Sequence, residues 1–307
     1  MNYSYDELLY YLVYSYLDAR MSERNKATQI LFDENLEYSL VDLCNSIFDR
    51  TYKPSPPICF LITEPTKREV FAPAFKDRIV SHLLFNSIAP IFEKTFIHDS
   101  YSCRLEKGTQ FGIDRLKSFL ISCSDNYKYI DDTWVLSLDI SGYFMSIHRP
   151  TLYNIVNTEL DRYRYRQIDK SSDIIWDNYI DYDLCKYLID GILLRDPKKG
   201  CTILDKDNPE WKLLPPNKSL FNAPKDTGLP IGDLTSQLFS NVYLNKFDQF
   251  MKRELGCKYY GRYVDDSRII SRDKEFLLDI IPKADQFLKN ELRLSLHPKK
   301  TQIQPAK

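Results

Sequence analysis

The sequence carries no excess charge, which excludes one whole way of binding nucleic acid. It has 42 Lys and Arg against 43 Asp and Glu, for a formal net charge of −1. A protein that holds nucleic acid by its overall field needs a strongly positive balance. Any contact of this chain with nucleic acid is therefore local or shared with a partner.

Cysteine pairs, long apolar runs and glycine-rich stretches are missing as well. The seven cysteines are scattered, without a Cys-x-x-Cys or a Cys/His cluster, and we interpret them as reduced thiols. The run at 8–17 is too short and too rich in tyrosine to span a bilayer, and acidic residues precede it where a signal peptide is basic. With 9 Gly against 22 Tyr and 17 Phe, disorder is a poor interpretation. The sequence predicts a globular, cytoplasmic protein that does not enter a membrane.

Two helices are predicted near the N-terminus. A capping-box pattern from Ser4 to Glu7 is followed by apolar residues at helical spacing, and 35–48 is a second helical pattern that stops before Pro54. We expect both helices to serve packing rather than chemistry.

Basic side chains are interleaved with apolar ones in the segment 62–80. This pattern suits phosphate contacts from a strand and the helix after it, although ordinary surface charge explains it equally well. The loop-like segment 96–112 adds two more basic residues near a glycine turn. The basic residues are Lys67, Arg68, Lys76 and Arg78 in the first segment and Arg104 and Lys107 in the second.

Carboxylates mark two further places in the chain. The apolar strand predicted at 134–140 carries Asp139 near its end, where a buried carboxylate is costly unless it has a partner. The runs on either side of Asp265 and Asp266 predict a hairpin with both aspartates at its tip. Two adjacent negative charges favour a cation there, and a solvated acidic turn is the alternative.

The predicted elements after Trp134 follow the order strand, helix, hairpin, helix, strand. The first helix opens at Pro150, the second spans 275–292, and 293–304 is predicted as strand-turn-strand with lysines at its turn. This order is the split βαβ pattern. On such a sheet the end of the first strand and the hairpin tip can be adjacent, so that their aspartates share one site.

An insertion at about 161–226 interrupts this pattern. It is rich in charge and proline, with a short helix near 182–194. A glycine turn at 227–232 then leads into a helix with Asp233 as its N-cap, and such a turn can approach a phosphate or a base pair closely.

Taken in order, these residues resemble a reverse transcriptase across nearly the whole chain. The strings LDISGYF at 138–144, GLPIGDLTSQ at 228–237, YVDD at 263–266 and LHPKKT at 296–301 resemble palm motifs A to D of that family. The segments 68–80 and 100–109 are similar to its fingers. The resemblance implies an α+β right-hand polymerase fold with a ferredoxin-like split βαβ palm. The resemblance ends at Lys307, before the primer grip and thumb that such polymerases have.

The resemblance implies three segments. They are an N-terminal helical extension at 1–55, fingers at 56–130, and a palm at 131–307 that contains the insertion.

Motif B narrows the resemblance. Ile231 and Gly232 follow the proline, where most relatives have Gln-Gly. With the insertion strings DPKKGC at 196–201, LPP at 214–216 and KSLF at 218–221, this motif resembles the reverse transcriptases of bacterial and phage diversity-generating retroelements. Those enzymes make error-prone cDNA from a template-repeat RNA. The chain departs from the family at Ser267 and Arg268, where apolar residues are more frequent.

The resemblance implies RNA-directed DNA polymerisation with two Mg²⁺ ions, for which Mn²⁺ is an acceptable substitute, acting on an RNA template, a DNA or RNA primer and dNTPs. Asp139 and Asp265 would bridge the metals with the Ile140 carbonyl, while Asp266 adds charge and Lys300 protonates pyrophosphate. The implied nucleotide-binding residues are Lys67, Arg68, Arg78, Phe144, Ile231, Gly232 and Gln237, and the implied RNA- or DNA-binding residues are Lys76, Arg104 and Lys107.

The implied partner is the small, basic, oligomeric accessory variability protein of these retroelements, which would supply the positive charge that this chain lacks. Two alternatives stay open. The chain could be the reverse transcriptase of a group II intron, a retron or a phage-defence system, which the flanking DNA repeats would distinguish. It could also be a catalytically silent, polymerase-like RNA-binding scaffold, although the presence of all three aspartates disfavours this.

Overall fold

The computed structural model describes residues 2–168 and 180–307. Residues 169–179, which belong to the predicted insertion, lie outside the described residues. The helices are α1 (Tyr5–Glu23), α2 (Ala27–Asp33), α3 (Leu36–Phe48), α4 (Phe75–Glu93), α5 (Thr109–Cys123), α6 (Tyr143–Ser146), α7 (Arg149–Ile168), α8 (Tyr182–Leu193), α9 (Leu234–Gln249) and α10 (Lys274–Leu292). The strands are β1 (Ile58–Ile62), β2 (Arg68–Ala72), β3 (Trp134–Leu138), β4 (Thr202–Ile203), β5 (Tyr259–Tyr263), β6 (Asp266–Ser271) and β7 (Gln302–Pro305).

Contacts divide the chain into two units, each built from two stretches of sequence. The first unit is Met1–Lys94 with Arg149–Leu238, and the second is Thr95–His148 with Phe239–Lys307. The helix α9 contributes residues to both. The boundaries proposed above for fingers and palm stay a prediction.

The first unit is mostly helical, with a small three-stranded sheet. The predicted capping box is confirmed, because Ser4 Oγ accepts from the Glu7 amide at 3.3 Å while the Ser4 amide donates to Glu7 Oε2 at 2.8 Å. Leu8 and Leu12 then bury one face of α1, which packs on α4. In the sheet, β1 pairs antiparallel with β2 and parallel with β4.

The other predicted helices of this unit are also present. The pattern at 35–48 forms α3, and the helix expected near 182–194 is α8, capped by Asp181, whose side chain accepts from the Leu184 amide at 2.8 Å. Asp233 caps α9 as predicted, since its carboxylate accepts from the Thr235 amide at 3.1 Å. Short side chains with oxygen acceptors thus begin helices where the pattern places them.

The second unit is organised around a four-stranded antiparallel sheet in the order β5-β6-β3-β7. The helix α10 packs against β6, and α5 against β5. The strand β3 is central and its inward residues Leu136 and Leu138 are buried. The predicted order of strand, hairpin, helix and strand is therefore confirmed in this unit. The helix predicted to open at Pro150 is α7, which begins at Arg149 and belongs to the first unit.

The prediction of strand-turn-strand at 293–304 is wrong in its first half. Only Leu296 forms an isolated bridge, to Ile140, before β7 begins at Gln302. Two backbone hydrogen bonds flank this bridge, from the Ser141 amide to Ser295 O at 3.0 Å and from the His297 amide to Asp139 O at 2.7 Å. The pairing ends there, because His297 O accepts from the Lys300 and Thr301 amides in a turn. Within the part of the chain that the structure describes, none of the helices has the length and apolarity needed to cross a bilayer.

Candidate active site

The hairpin predicted around the two aspartates is formed by β5 and β6, with its tip shifted by one residue. Tyr263 pairs with Asp266, so that Val264 and Asp265 are the turn residues and Asp266 is the first residue of β6. Val264 adopts a positive φ of 55°. A β-branched residue in this region is strained by about 1–3 kcal/mol, and such strain is held only where the surroundings enforce it.

A buried ion pair enforces this turn. Arg262 of β5 and Asp248 of α9 are 1% and 0% exposed, and the guanidinium Nε and Nη2 donate to the two carboxylate oxygens at 2.8 and 2.7 Å. Arg262 Nη1 also donates to Val264 O at 2.6 Å, and Tyr260 Oη donates to Asp248 Oδ1 at 2.6 Å. Burial opposes the Arg262 charge, but the neighbouring Asp248 carboxylate leaves the pKa of Arg262 above its ordinary value.

This ion pair escaped the sequence analysis. The sequence did contain a signal for a buried charge, because Arg262 lies on the same face as Tyr260 in a strand otherwise made of apolar and aromatic residues. An inward charge on such a face requires a partner. Nothing local identifies that partner as Asp248, which lies on another element.

The first carboxylate of the site follows β3. Leu138 pairs with Ser267, which places Asp139 one residue beyond the strand and level with Asp266. The Asp139 carbonyl accepts from the His297 amide at 2.7 Å, and its carboxylate forms an ion pair of 2.9 Å with Lys300 Nζ. The hydrogen bond to Asp139 raises the pKa of Lys300. These two contacts hold the segment that carries motif D against the end of β3, which carries motif A.

The second carboxylate, Asp265, is short of compensating charge. Burial and the nearby negative charges of Asp139 and Asp266 together raise its pKa to about 6, although a backbone hydrogen bond and the Lys300 charge lower it. The structure therefore brings Asp139, Asp265, Asp266 and Lys300 together at one end of the sheet. The third carboxylate, Asp266, forms an ion pair of 2.7 Å with Arg268 Nη1.

The donor chemistry of this cluster fits a divalent cation. Three carboxylates and the backbone at Ile140 supply the hard oxygen atoms that Mg²⁺ prefers, whereas only two cationic side chains, Lys300 and Arg268, form ion pairs with these carboxylates. In residues 2–168 and 180–307, no three acidic, His or Cys side chains already enclose a metal-sized space. Two of the three carboxylates are instead engaged by cationic side chains.

Phe144, Arg104 and Lys107 are the other predicted residues of this unit. Phe144 is half-buried on α6, with its ring 5.4 Å from that of Tyr143, so part of it is open to a ligand. Arg104 donates to Ile97 O at 2.8 Å and Ser100 O at 2.9 Å, and Lys107 donates to His98 O. Both basic residues therefore brace their own loop, and their contact with nucleic acid stays a prediction.

The basic residues predicted in the first unit differ in their surroundings. Lys67 forms an ion pair of 2.7 Å with Glu210, and Arg78 one of 3.0 Å with Glu23. Lys76 is exposed on α4. Arg68 is half-buried at the start of β2 and, among the described residues, forms no ion pair. Among the described residues, Lys76 forms no ion pair either, and Arg68 is the more buried of these two.

The turn of motif B is fitted tightly against β2. Ile231 O accepts from the Phe71 amide at 2.7 Å, and Gly232 has a positive φ of 116°. A Cβ on Gly232 would lie 2.8 Å from Val70 Cγ1 and 3.0 Å from Phe71 O, so only glycine fits. Gln237 is exposed on α9.

Glu69 is a second buried residue that the sequence analysis missed. Its carboxylate accepts from Ser219 Oγ and, at 2.7 Å, from the Leu220 amide, and burial raises its pKa. Glu69 thus ties β2 to the region predicted as an insertion. Its place between Arg68 and Val70 in a short apolar strand was the available signal.

Comparison with known proteins identifies the relatives of the chain. Residues 64–307 match the family described as reverse transcriptase (RNA-dependent DNA polymerase). The chain is 24% identical to protein YkfC of Escherichia coli over 226 residues, which cover 72% of the chain and 47% of YkfC. It is 22% identical to the group II intron-encoded protein LtrA of Lactococcus lactis in an alignment of 335 residues, gaps included, which covers 97% of the chain and 54% of LtrA. The chain spans about half the length of these curated relatives.

Similar solved structures include two of apo telomerase from Candida tropicalis. One superposes with a TM-score of 0.51 at 11% identity and covers 82% of the chain and 45% of the telomerase. The other, truncated from the C-terminal domain, gives 0.52 at 12% identity and covers 85% and 53%. At such low identity these similarities define the fold alone.

Proposed function

The chain belongs to the reverse transcriptase family and has the α+β right-hand polymerase fold, and from this premise we propose that it is an RNA-directed DNA polymerase. The observation that carries the proposal is the cluster of Asp139, Asp265 and Asp266 at one end of the sheet. Burial and mutual repulsion there raise the pKa of Asp265 to about 6. Such a cluster is suited to divalent cations, since it concentrates negative charge that its own lysine and arginine do not fully compensate.

In this proposal Asp139, Asp265 and the Ile140 carbonyl would hold two Mg²⁺ ions, and Asp266 would add negative charge. When bound, the ions would activate the primer 3′-hydroxyl and stabilise the leaving pyrophosphate. The chain's own contribution is positioning: the Arg262–Asp248 pair holds the turn that carries Asp265, and the His297 amide holds the Asp139 carbonyl.

Lys300 is proposed as the proton donor to pyrophosphate. Its Nζ lies 2.9 Å from Asp139, and that contact raises its pKa, so Lys300 is reliably protonated at neutral pH. Phe144 is proposed to limit the space at the sugar 2′ position, and Arg68 to bind the triphosphate. Arg68 suits this role because no carboxylate among the described residues neutralises it.

The finer proposal is a polymerase of a diversity-generating retroelement, which copies a template-repeat RNA into error-prone cDNA. Its support is the motif B string PIGDLTSQ and the insertion strings, as described above. The similarity to LtrA over 97% of the chain supports a second candidate, a group II intron-type reverse transcriptase. The two differ in product, because only the first predicts errors concentrated opposite template adenine.

The test is primer extension on an RNA template with dNTPs and Mg²⁺, followed by sequencing of the products opposite each template base. We expect extension by the wild type and none by Asp139→Asn or Asp265→Asn, each folded as judged by circular dichroism. Extension by either variant at the wild-type rate would contradict the catalytic assignment. Accurate products with no adenine bias would favour the intron-type candidate.

We further propose that a small basic accessory protein binds the N-terminal helices. These helices expose many large apolar side chains and also acidic residues, including Asp6, Glu7, Glu37 and Asp42. A basic partner with an apolar face complements both properties. The exposed apolar residues are Tyr10, Val13, Tyr14, Leu17 and Met21 of α1, Ile30 and Leu31 of α2, and Tyr38, Val41 and Phe48 of α3.

A further inference from the structure

Arg268 lies within the sheet beside the carboxylate cluster. It follows Asp266 by two residues on β6, and its Nη1 donates to Asp266 Oδ1 at 2.7 Å and to Ser267 O at 3.1 Å. Because residues two apart on a strand share a face, Arg268 projects from the same face as Asp266. Its register partner on β3 is Ser137, two residues before Asp139, so this face also carries Asp139.

Arg268 and Lys300 divide the carboxylates between them. Lys300 engages Asp139 at 2.9 Å and Arg268 engages Asp266 at 2.7 Å. In the described part of the chain no three acidic, His or Cys side chains are gathered as a ready metal site. A divalent cation that uses Asp266 must therefore displace the guanidinium or bind beside a fixed positive charge.

We propose that Arg268 is a resident counter-ion of the catalytic carboxylates, which holds Asp266 in the absence of metal and sets the divalent-cation concentration at which the site fills. This inference rests on the proposed function. It concerns a property that the polymerase reaction does not require, since a site without Arg268 would still hold its metals, and more tightly.

The chemistry of arginine supports this role. A guanidinium stays charged at every physiological pH, so the competition cannot be relieved by deprotonation. The side chains of Arg268 and Asp266 are 34% and 50% exposed, so solvent screens their attraction and a divalent ion can displace the arginine. The Arg268–Asp266 ion pair therefore competes with a divalent cation for Asp266, and a bound cation can still displace the arginine.

The experiment is a titration of the full chain with Mn²⁺, without nucleic acid or nucleotide, in which electron paramagnetic resonance measures free Mn²⁺. We expect Arg268→Leu to lower the half-saturating Mn²⁺ concentration by at least about threefold, because a fixed cation is removed from the site. Arg268→Lys keeps the charge and should stay close to the wild type. Arg268→Gln, which also removes the charge and should lower the half-saturating concentration, serves as the second variant if the leucine variant does not fold.

The matched control is Arg272→Leu, which removes the same charge just beyond the other end of β6. Arg272 stacks on the Tyr129 ring at 4.0 Å, so its loss should leave Mn²⁺ affinity unchanged. Asp265→Asn, made in the wild type and in Arg268→Leu, reports whether the measured Mn²⁺ is bound at the carboxylates.

The outcomes separate this inference from the proposed function. If Asp265→Asn weakens Mn²⁺ binding but Arg268→Leu equals the wild type, Arg268 is no counter-ion and the proposed function stands. If Arg272→Leu tightens binding as much as Arg268→Leu does, the effect is one of net charge and the inference is overturned. If Asp265→Asn changes binding in neither background, the carboxylates hold no Mn²⁺, and the proposed function falls together with the inference.

Discussion

Asp265 has two properties that destabilise the metal-free protein: the residue is half-buried, and two other negative charges lie near it. Its pKa of about 6 lies above the ordinary value of 3.8. The folded state thus binds the Asp265 proton more tightly than the unfolded chain does. The resulting stabilisation is complete below pH 3.8 and is lost as the pH rises through about 6.

We predict that Asp265→Asn stabilises the metal-free protein at neutral pH. The full pKa difference corresponds to about 3 kcal/mol, and solvent screening reduces the expected gain in unfolding free energy to about 1–2 kcal/mol. Urea unfolding in the presence of a chelator measures it, and the gain should vanish near about pH 4. Asp266→Asn is the control, because it breaks the ion pair with Arg268 and should give no gain. A variant less stable than the wild type at neutral pH would contradict this account of Asp265.

Phe144 is half-buried, and its exposed part bears on the choice between dNTPs and rNTPs. If its ring occupies the space of a 2′-hydroxyl, Phe144→Ala should incorporate ribonucleotides that the wild type rejects. Competition between dNTPs and rNTPs in primer extension measures the change. An unaltered preference would assign Phe144 to packing against Tyr143.

By its resemblance to palm motif B, the chain has Ile231 where most reverse transcriptases have glutamine. Glutamine can donate and accept hydrogen bonds, whereas isoleucine can do neither. We predict that Ile231→Gln lowers misincorporation opposite template adenine by several-fold, since one hydrogen bond contributes about 1 kcal/mol to selection. The structure makes this exchange mild, because the contact of Ile231 to Phe71 uses its backbone carbonyl. Arg78 is a second proposed contributor to the adenine bias. Equal adenine errors in variant and wild type, with extension retained, would leave Ile231 a packing role.

At the scale of elements, the buried Arg262–Asp248 pair connects stability to the geometry of the catalytic turn. Asp248→Asn leaves Arg262 as an uncompensated buried charge, and we predict a loss of about 3–5 kcal/mol in unfolding free energy. The double variant Arg262→Met with Asp248→Leu should recover most of this loss, because neither charge is then buried alone. It should remain poorly active, since the Val264 carbonyl has lost its donor. Denaturant unfolding measures the stability of these variants, and primer extension on the same preparations measures their activity. Full activity in the double variant would show that the turn keeps its conformation without the ion pair.

Elements with local signals were predictable from the sequence. The capping box at Ser4 and the N-cap Asp233 begin helices where expected, because one side chain and the next turn of backbone determine each start. The hairpin was found as well, although its tip was misplaced by one residue. A positive φ at Val264 has no local signal, because it is imposed by Arg262 through a tertiary contact.

The same distinction applies to the candidate site. Asp139 and Asp265 could be placed together from the order of the elements, since a split βαβ sheet determines which strand ends are neighbours. The partners of the charges could not: Lys300 with Asp139 and Arg268 with Asp266 depend on side-chain directions.

At the scale of the whole molecule, a net charge of −1 limits how firmly the chain can hold a template by itself. Each phosphate that a protein neutralises adds affinity that falls with salt, and the balanced composition leaves few uncompensated cations for this purpose. We predict that the proposed basic accessory protein raises the affinity for the RNA template at physiological salt by at least tenfold. This gain corresponds to about one to two additional phosphate contacts. Tyr14→Asp and Leu17→Asp in the exposed face of α1 should abolish this gain while primer extension by the chain alone persists. Leu213→Asp, an equally charged change at another exposed apolar residue, is the control. Filter binding of labelled RNA across a salt series, with and without the partner, measures the effect, and binding by the chain alone that is as tight as with the partner would contradict it.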